Sequence, residues 1–215
     1  PKSVNGKAQN GIGSRSVYTS KTLTSSTTLN YNHSFGKHNL AAMAGFETEK
    51  RDLLILYASA QNYAAALPEL SNGQSNSNSS MSYTAAMMSW LGSLNYNYDN
   101  KYYFSASYRR DGSSRFGDNN KWGTFPSASL GWTISNEGFM EGITWLNNLK
   151  LRAGFGITGV IPNDPYMSLT RYNYGSSYYY DKGTWKPGLE VASNPNPDLK
   201  WEKSTEYNIG LDFSV

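Results

Sequence analysis

The chain has 215 residues, of which 38% are hydrophobic, 14% aromatic and only 16% charged, with a formal net charge of +3. It has no cysteine, which excludes a disulfide framework, thiolate metal sites and a Cys nucleophile, and its two histidines leave little for metal or acid–base chemistry. Seventeen tyrosines and 51 Ser and Asn residues separate it from the charge-rich composition of disorder and from the Ala/Glu/Lys/Leu mix of helical proteins. The 19 basic residues are dispersed, so no nucleic-acid partner is expected. No stretch approaches the roughly 20 apolar residues of a transmembrane helix. A transmembrane β-strand needs only about 10 alternating residues, and that route stays open. The chain begins at Pro1 and is expected to be a processed or excised piece.

Strands are expected in chain order wherever apolar and polar residues alternate. Residues 16–33 end in Leu29, Tyr31 and His33 against Asn30 and Asn32; residues 38–56 place Leu40, Ala42, Ala44 and Phe46 on one side. Residues 85–98 end in Leu94, Tyr96 and Tyr98 against Asn95 and Asn97. The clearest runs follow. Tyr102, Phe104, Ala106 and Tyr108 form one; Ala128, Leu130, Trp132 and Ile134 the next; then Leu149, Leu151, Ala153, Phe155 and Ile157; and last Tyr207, Ile209, Leu211, Phe213 and Val215. That makes seven strands, all-β and arranged as an antiparallel meander.

Connections alternate in length. Turns at 34–37 and 99–101 are short, and 136–147 is moderate, with a helical turn expected near Phe139 to Ile143. Long polar loops are expected near 58–84, 112–124 and 159–204, with the Ser/Asn-rich stretch 71–82 as a loop tip. Short turns at one end and long loops at the other are the habit of outer-membrane barrels. The faces fit either of two architectures. In a barrel the apolar face meets lipid, Tyr and Trp gather at its ends, and Lys150, Arg152 and Asp212 face the lumen. In a soluble sandwich the same face packs on a second sheet.

Several motifs admit a functional and a plainer reading. Gly154, Gly156 and Gly159 match G-x-G-x-x-G, but Pro162 and Pro165 follow where a phosphate-binding helix would have to start, so these glycines are expected in a strand. Asp111 to Arg115 and Asp118 to Asn120 are oxygen-rich without EF-hand spacing, and a turn is expected there. Arg109, Arg110 and Arg115 are expected to pair with acidic or carbonyl groups. His33 and His38 flank a turn and read as solvated. No catalytic constellation, metal site or cofactor is expected. Residues 159–204 carry Tyr172, Tyr174, Tyr178, Tyr179, Tyr180, Trp185 and Trp201. Exposed aromatic rings of this kind stack on sugars or cover peptide side chains, or else pack the loop on its neighbours.

Residues 102–125, YYFSASYRRDGSSRFGDNNKWGTF, with PSASLGWTISNEGFM after them, resemble the strand–loop–strand signature of SusC/RagA-like TonB-dependent transporters. LKLRAGFGITG (149–159) and NPNPDLKWEKSTEYNIGLDF (194–213) resemble the segments that follow it. The likeness is specific from about Tyr96 onward. It implies a bacterial outer-membrane importer of oligosaccharide or peptide, typical of the Bacteroidetes. Its barrel would have 22 strands, of which this chain supplies about seven as a partial barrel domain over 1–215. It also implies a plug that couples to the TonB complex and is missing from this chain. It implies a SusD-like surface lipoprotein as partner, met by extracellular loops that also meet substrate, and transport without enzymatic chemistry. The alternative is a soluble, secreted β-sheet module that binds glycan.

Overall fold

A computed structural model describes residues 10–64 and 69–215. Among them are nine strands: β1 Ile12–Phe35, β2 His38–Gln61, β3 Gln74–Tyr98, β4 Tyr102–Ser113, β5 Trp122–Thr133, β6 Asn148–Val160, β7 Arg171–Asp181, β8 Thr184–Ser193 and β9 Glu202–Ser214. Seven form one sheet in the order β1-β2-β3-β4-β5-β6-β9, and β7 and β8 form a separate two-stranded sheet. The seven expected wall strands are therefore present, and the hairpin β7–β8 is additional.

The chain divides into two compact units, Pro1–Leu23 with Lys50–Ala85 and Thr24–Glu49 with Ala86–Val215. In the first, Tyr63 fills the space left by three glycines. A Cβ on Gly11 or Gly73 would lie 3.2 or 3.0 Å from its ring, and one on Gly13 would strike its hydroxyl. Asn62 N–H and Tyr63 N–H donate to the carbonyls of Gly11 and Asn10 at 3.2 and 3.0 Å. The Thr84 hydroxyl donates to Asp52 Oδ1 at 2.6 Å.

In the second unit the pairing is antiparallel and regular. It stacks residues of like character into rows, because side chains alternate between faces with period two. One face carries Tyr98, Tyr102, Trp132, Leu151 and Leu211 side by side. The row above it is Tyr96, Phe104, Leu130, Ala153 and Ile209, and the third is Leu94, Ala106, Ala128, Phe155 and Tyr207. The opposite face repeats Asn97, Tyr103, Gly131, Arg152 and Gly210, then Asn95, Ser105, Ser129, Gly154 and Asn208. The apolar rows lie open, with Leu130 61% exposed. Among the described residues β1 and β9 are the two edges of the sheet, which does not close on itself.

Several expected loops are shorter than the sequence suggested. The loop over 58–84 narrows to 62–73, because β2 runs to Gln61 and β3 starts at Gln74; residues 65–68 of it lie outside the described residues. The stretch 71–82 is therefore mostly strand. Its Ser and Asn side chains are solvated on both faces, so no apolar period marks it. The loop over 112–124 narrows to 114–121. The loop over 159–204 holds β7 and β8. The helical turn near Phe139 is a 3-10 turn, Gly138–Met140, preceded by another, Ile134–Asn136.

Candidate functional site

On the polar face, Lys150 pairs directly with Asp212, and Arg152 with Gly210. Arg152 reaches diagonally to Asp212 in a two-bonded pair, Nε–Oδ2 2.7 Å and Nη2–Oδ1 2.8 Å. Gly210 makes this reach available, since a Cβ there would lie 3.2 Å from Arg152 Nη2. Lys150 Nζ sits 4.2 Å above the Tyr103 ring, close enough for a cation–π contact. Gly131 leaves the room: its Cβ would be 3.3 Å from Lys150 Cε and 3.4 Å from Tyr103 Cβ. Glycines thus let all three charged groups lie flat on the sheet.

A second polar network joins β2, β3 and β4. Arg109 Nε donates to both Asp111 oxygens at 2.8 Å, Nη2 donates to the Ser89 hydroxyl at 3.0 Å, and Glu47 Oε1 lies 3.9 Å away. Asp111 and Ser89 are buried. Arg115 Nη1 donates to the carbonyls of Pro162 and Asn163 at 2.7 and 2.9 Å. Arg110 differs from the expectation: its guanidinium covers the Trp122 ring, 5.2 Å from the centroid. His38 also differs. Its ring stacks on Phe35 at 4.9 Å, and its Nδ1 hydrogen-bonds the Tyr96 hydroxyl at 2.7 Å.

The loop segments are held by one aromatic cluster. Phe116, only 1% exposed, lies 4.7 Å from Trp201, and Phe125 meets the Trp201 ring edge-on at 5.1 Å. Trp201 Nε1 donates to the Lys121 carbonyl at 3.3 Å. Gly117 N–H donates to Leu199 O at 3.3 Å, and Asn119 Nδ2 to Asp198 Oδ1 at 3.1 Å. A Cβ on Gly117 would overlap the Pro197 carbonyl, so only glycine fits this crossing. The Asn-Pro-Asp-Leu-Lys-Trp stretch at 196–201 is thus a strap across the β4–β5 loop.

Between β6 and that strap the chain forms the hairpin β7–β8. Tyr172, Tyr174, Tyr178 and Tyr180 pair with Val191, Leu189, Pro187 and Trp185. A bulge separates Tyr174 from Tyr178 and spends four residues against two on β8. Their partners are every second residue of β8, which keeps all four tyrosines on one face. Gly175, at φ +80°, supplies the left-handed backbone that the bulge needs. Tyr174 is 76% exposed and Tyr180 meets Trp185 edge-on at 5.5 Å. Of the six aromatic candidates, five are brought together; Tyr179 lies on the opposite face, paired with Lys186.

Sequence reasoning missed Glu137. Its carboxylate accepts from the Tyr102 hydroxyl at 2.6 Å, Trp132 Nε1 at 3.0 Å and Lys101 Nζ at 3.3 Å. The Tyr102 hydrogen bond, then that of Trp132, holds the Glu137 carboxyl below its ordinary value of 4.5, against the opposing effect of burial. The stabilisation is therefore complete above pH 4.5 and is lost as pH falls through the lower folded value. Glu137→Gln is expected to flatten the loss of stability as pH falls below 4.5. Unfolding of the refolded full-length protein at stepped pH checks this, and an unchanged acid limb would refute it.

The open seven-stranded sheet, with one apolar and one polar face and an aromatic row at its short-turn end, is a segment of β-barrel wall. Residues 2–215 match the family model "TonB dependent receptor-like, beta-barrel", and the chain belongs to that family. It is 35% identical over 192 residues to "TonB-dependent receptor P39" of Formosa agariphila, covering 86% of this chain and 18% of that protein. It is 45% identical over 137 residues to "TonB-dependent receptor SusC" of Bacteroides thetaiotaomicron, covering 59% and 13%. The fold is similar to the RagAB peptide importer in its closed-closed state, with TM-score 0.80, 28% identity, 93% of this chain and 22% of that one covered. The chain thus spans about a fifth of these relatives or less.

Proposed function

We propose that this chain is a wall segment of a TonB-dependent importer of the bacterial outer membrane. The observation that carries the reading is the sheet itself: three unbroken apolar rows on one face and small polar residues on the other, in a chain of the barrel family. The apolar rows face lipid, and Lys150, Arg152 and Asp212 face the lumen. The cargo is oligosaccharide or peptide, taken up together with a SusD-like surface lipoprotein. The TonB complex acts through a plug outside this chain. The work is transport, with no bond made or broken. Likeness to the RagAB peptide importer supports the peptide class, and likeness to proteins named SusC and RagAB supports the lipoprotein partner.

The aromatic face of β7–β8 is the contact for substrate or lipoprotein lid. Truncating Tyr180 and Trp185 to Ala in the full-length importer is expected to weaken lid or substrate binding about tenfold, the effect of losing ~1.4 kcal/mol. Titration of each ligand against the purified variant tells the two apart. Unchanged binding of both would leave these rings with packing alone and end this reading of the hairpin.

A further inference from the structure

We propose that the turn over 137–145, between β5 and β6, is a membrane-interface anchor whose Phe139 and Trp145 side chains insert into the lipid headgroup–acyl boundary. The proposal rests on the barrel-wall reading and adds a contact that the strands do not make. Phe139 is 67% exposed and Trp145 68%, with Ile143 also open to solvent, three large apolar side chains within seven residues. Soluble turns do not concentrate such surface without something to cover it.

Position says what covers it. Tyr102 and Trp132 stack at 6.5 Å with rings 11° apart, both on the apolar face, and Tyr98 continues the row 6.3 Å from Tyr102. Both Tyr102 and Trp132 donate to Glu137, so the start of the turn is fastened over the end of that face. Asn136 Nδ2 adds a bond to Asn100 O at 3.0 Å, tying the turn to the neighbouring β3–β4 connection. The exposed rings thus follow, two and eight residues on, from a carboxylate fastened to the aromatic row that would lie at the membrane interface. Glu141 is the one charge between Gly138 and Trp145. A Cβ added to Gly138 or Gly142 would meet nothing within 4 Å, so no described neighbour in this unit crowds the turn.

The test uses the full-length protein in phosphatidylethanolamine/phosphatidylglycerol vesicles, with single nitroxide labels at Trp145→Cys and, separately, Leu130→Cys. This chain has no cysteine, and any cysteine in the rest of the full-length protein is first changed to serine so that each label is single. Collisions with oxygen exceeding those with a water-soluble nickel chelate at both positions are the expected result. A label at 145 favouring nickel, with 130 favouring oxygen, overturns the anchor alone and leaves the wall reading standing. A label at 145 shielded from both reagents, with 130 favouring oxygen, also overturns it and assigns the turn to a protein partner. If 130 itself favours nickel, the wall reading fails and the anchor with it. Should Trp145→Cys fail to fold, Phe139→Cys is read by the same criteria.

Discussion

Ala128→Arg in the full-length barrel is expected to cost about 2–4 kcal/mol, whereas Leu211→Arg costs only about 0–1 kcal/mol. Both side chains lie on the apolar face, but at different heights. Leu211 belongs to the first row, paired with Leu151 and two strands along from Trp132, and Ala128 to the third, between Ala106 and Phe155. At roughly 3.4 Å per residue and a tilt of about 40°, four residues of β5 raise Ala128 about 10 Å above Trp132 on its own strand. That is near the middle of an apolar band about 25 Å tall, where an Arg has neither water nor headgroup within reach. Reversible urea unfolding from vesicles measures both variants. Equal, small effects at the two heights would rule out lipid contact.

Trp201→Ala is expected to cost about 3–5 kcal/mol, the usual range for emptying an aromatic site in a buried cluster. Two rings, Phe116 and Phe125, lose their common neighbour, and the Lys121 carbonyl loses its donor. The strap over 196–201 and the loop over 114–121 should then part. Amide exchange in 114–121 would accelerate while the strands below keep their protection. Trp201→Phe keeps most of the packing and loses the N–H, so it should cost only about 1 kcal/mol. Unchanged exchange in Trp201→Ala would show that the loop is held by something else.

The wall was the most legible part of the sequence. β4, β5, β6 and β9 alternate because one face is apolar and the other small and polar, and a period-two pattern records that contrast directly. The outer stretch of β3 left no such trace. Its Ser and Asn residues meet solvent on both faces, so nothing in their order distinguishes strand from loop. Consecutive tyrosines 178–180 hid β7 for the opposite reason, with bulk on both faces. Phe116 meets Trp201 across 85 residues, and the shortest bond of Glu137 comes from Tyr102 across 35. Spacing along the chain carries no signal for contacts of that kind. Arg152 and Asp212 were both legible as polar-face residues. Their mutual pairing was not, because it depends on the glycine at 210.

The bulge in β7 leaves β8 to decide which rings meet. Four residues there oppose two, and Tyr172, Tyr174, Tyr178 and Tyr180 share a face because their partners Val191, Leu189, Pro187 and Trp185 alternate regularly along β8. A residue gained or lost between 174 and 178 would be taken up in the bulge, whereas one gained or lost within β8 would split the aromatic face.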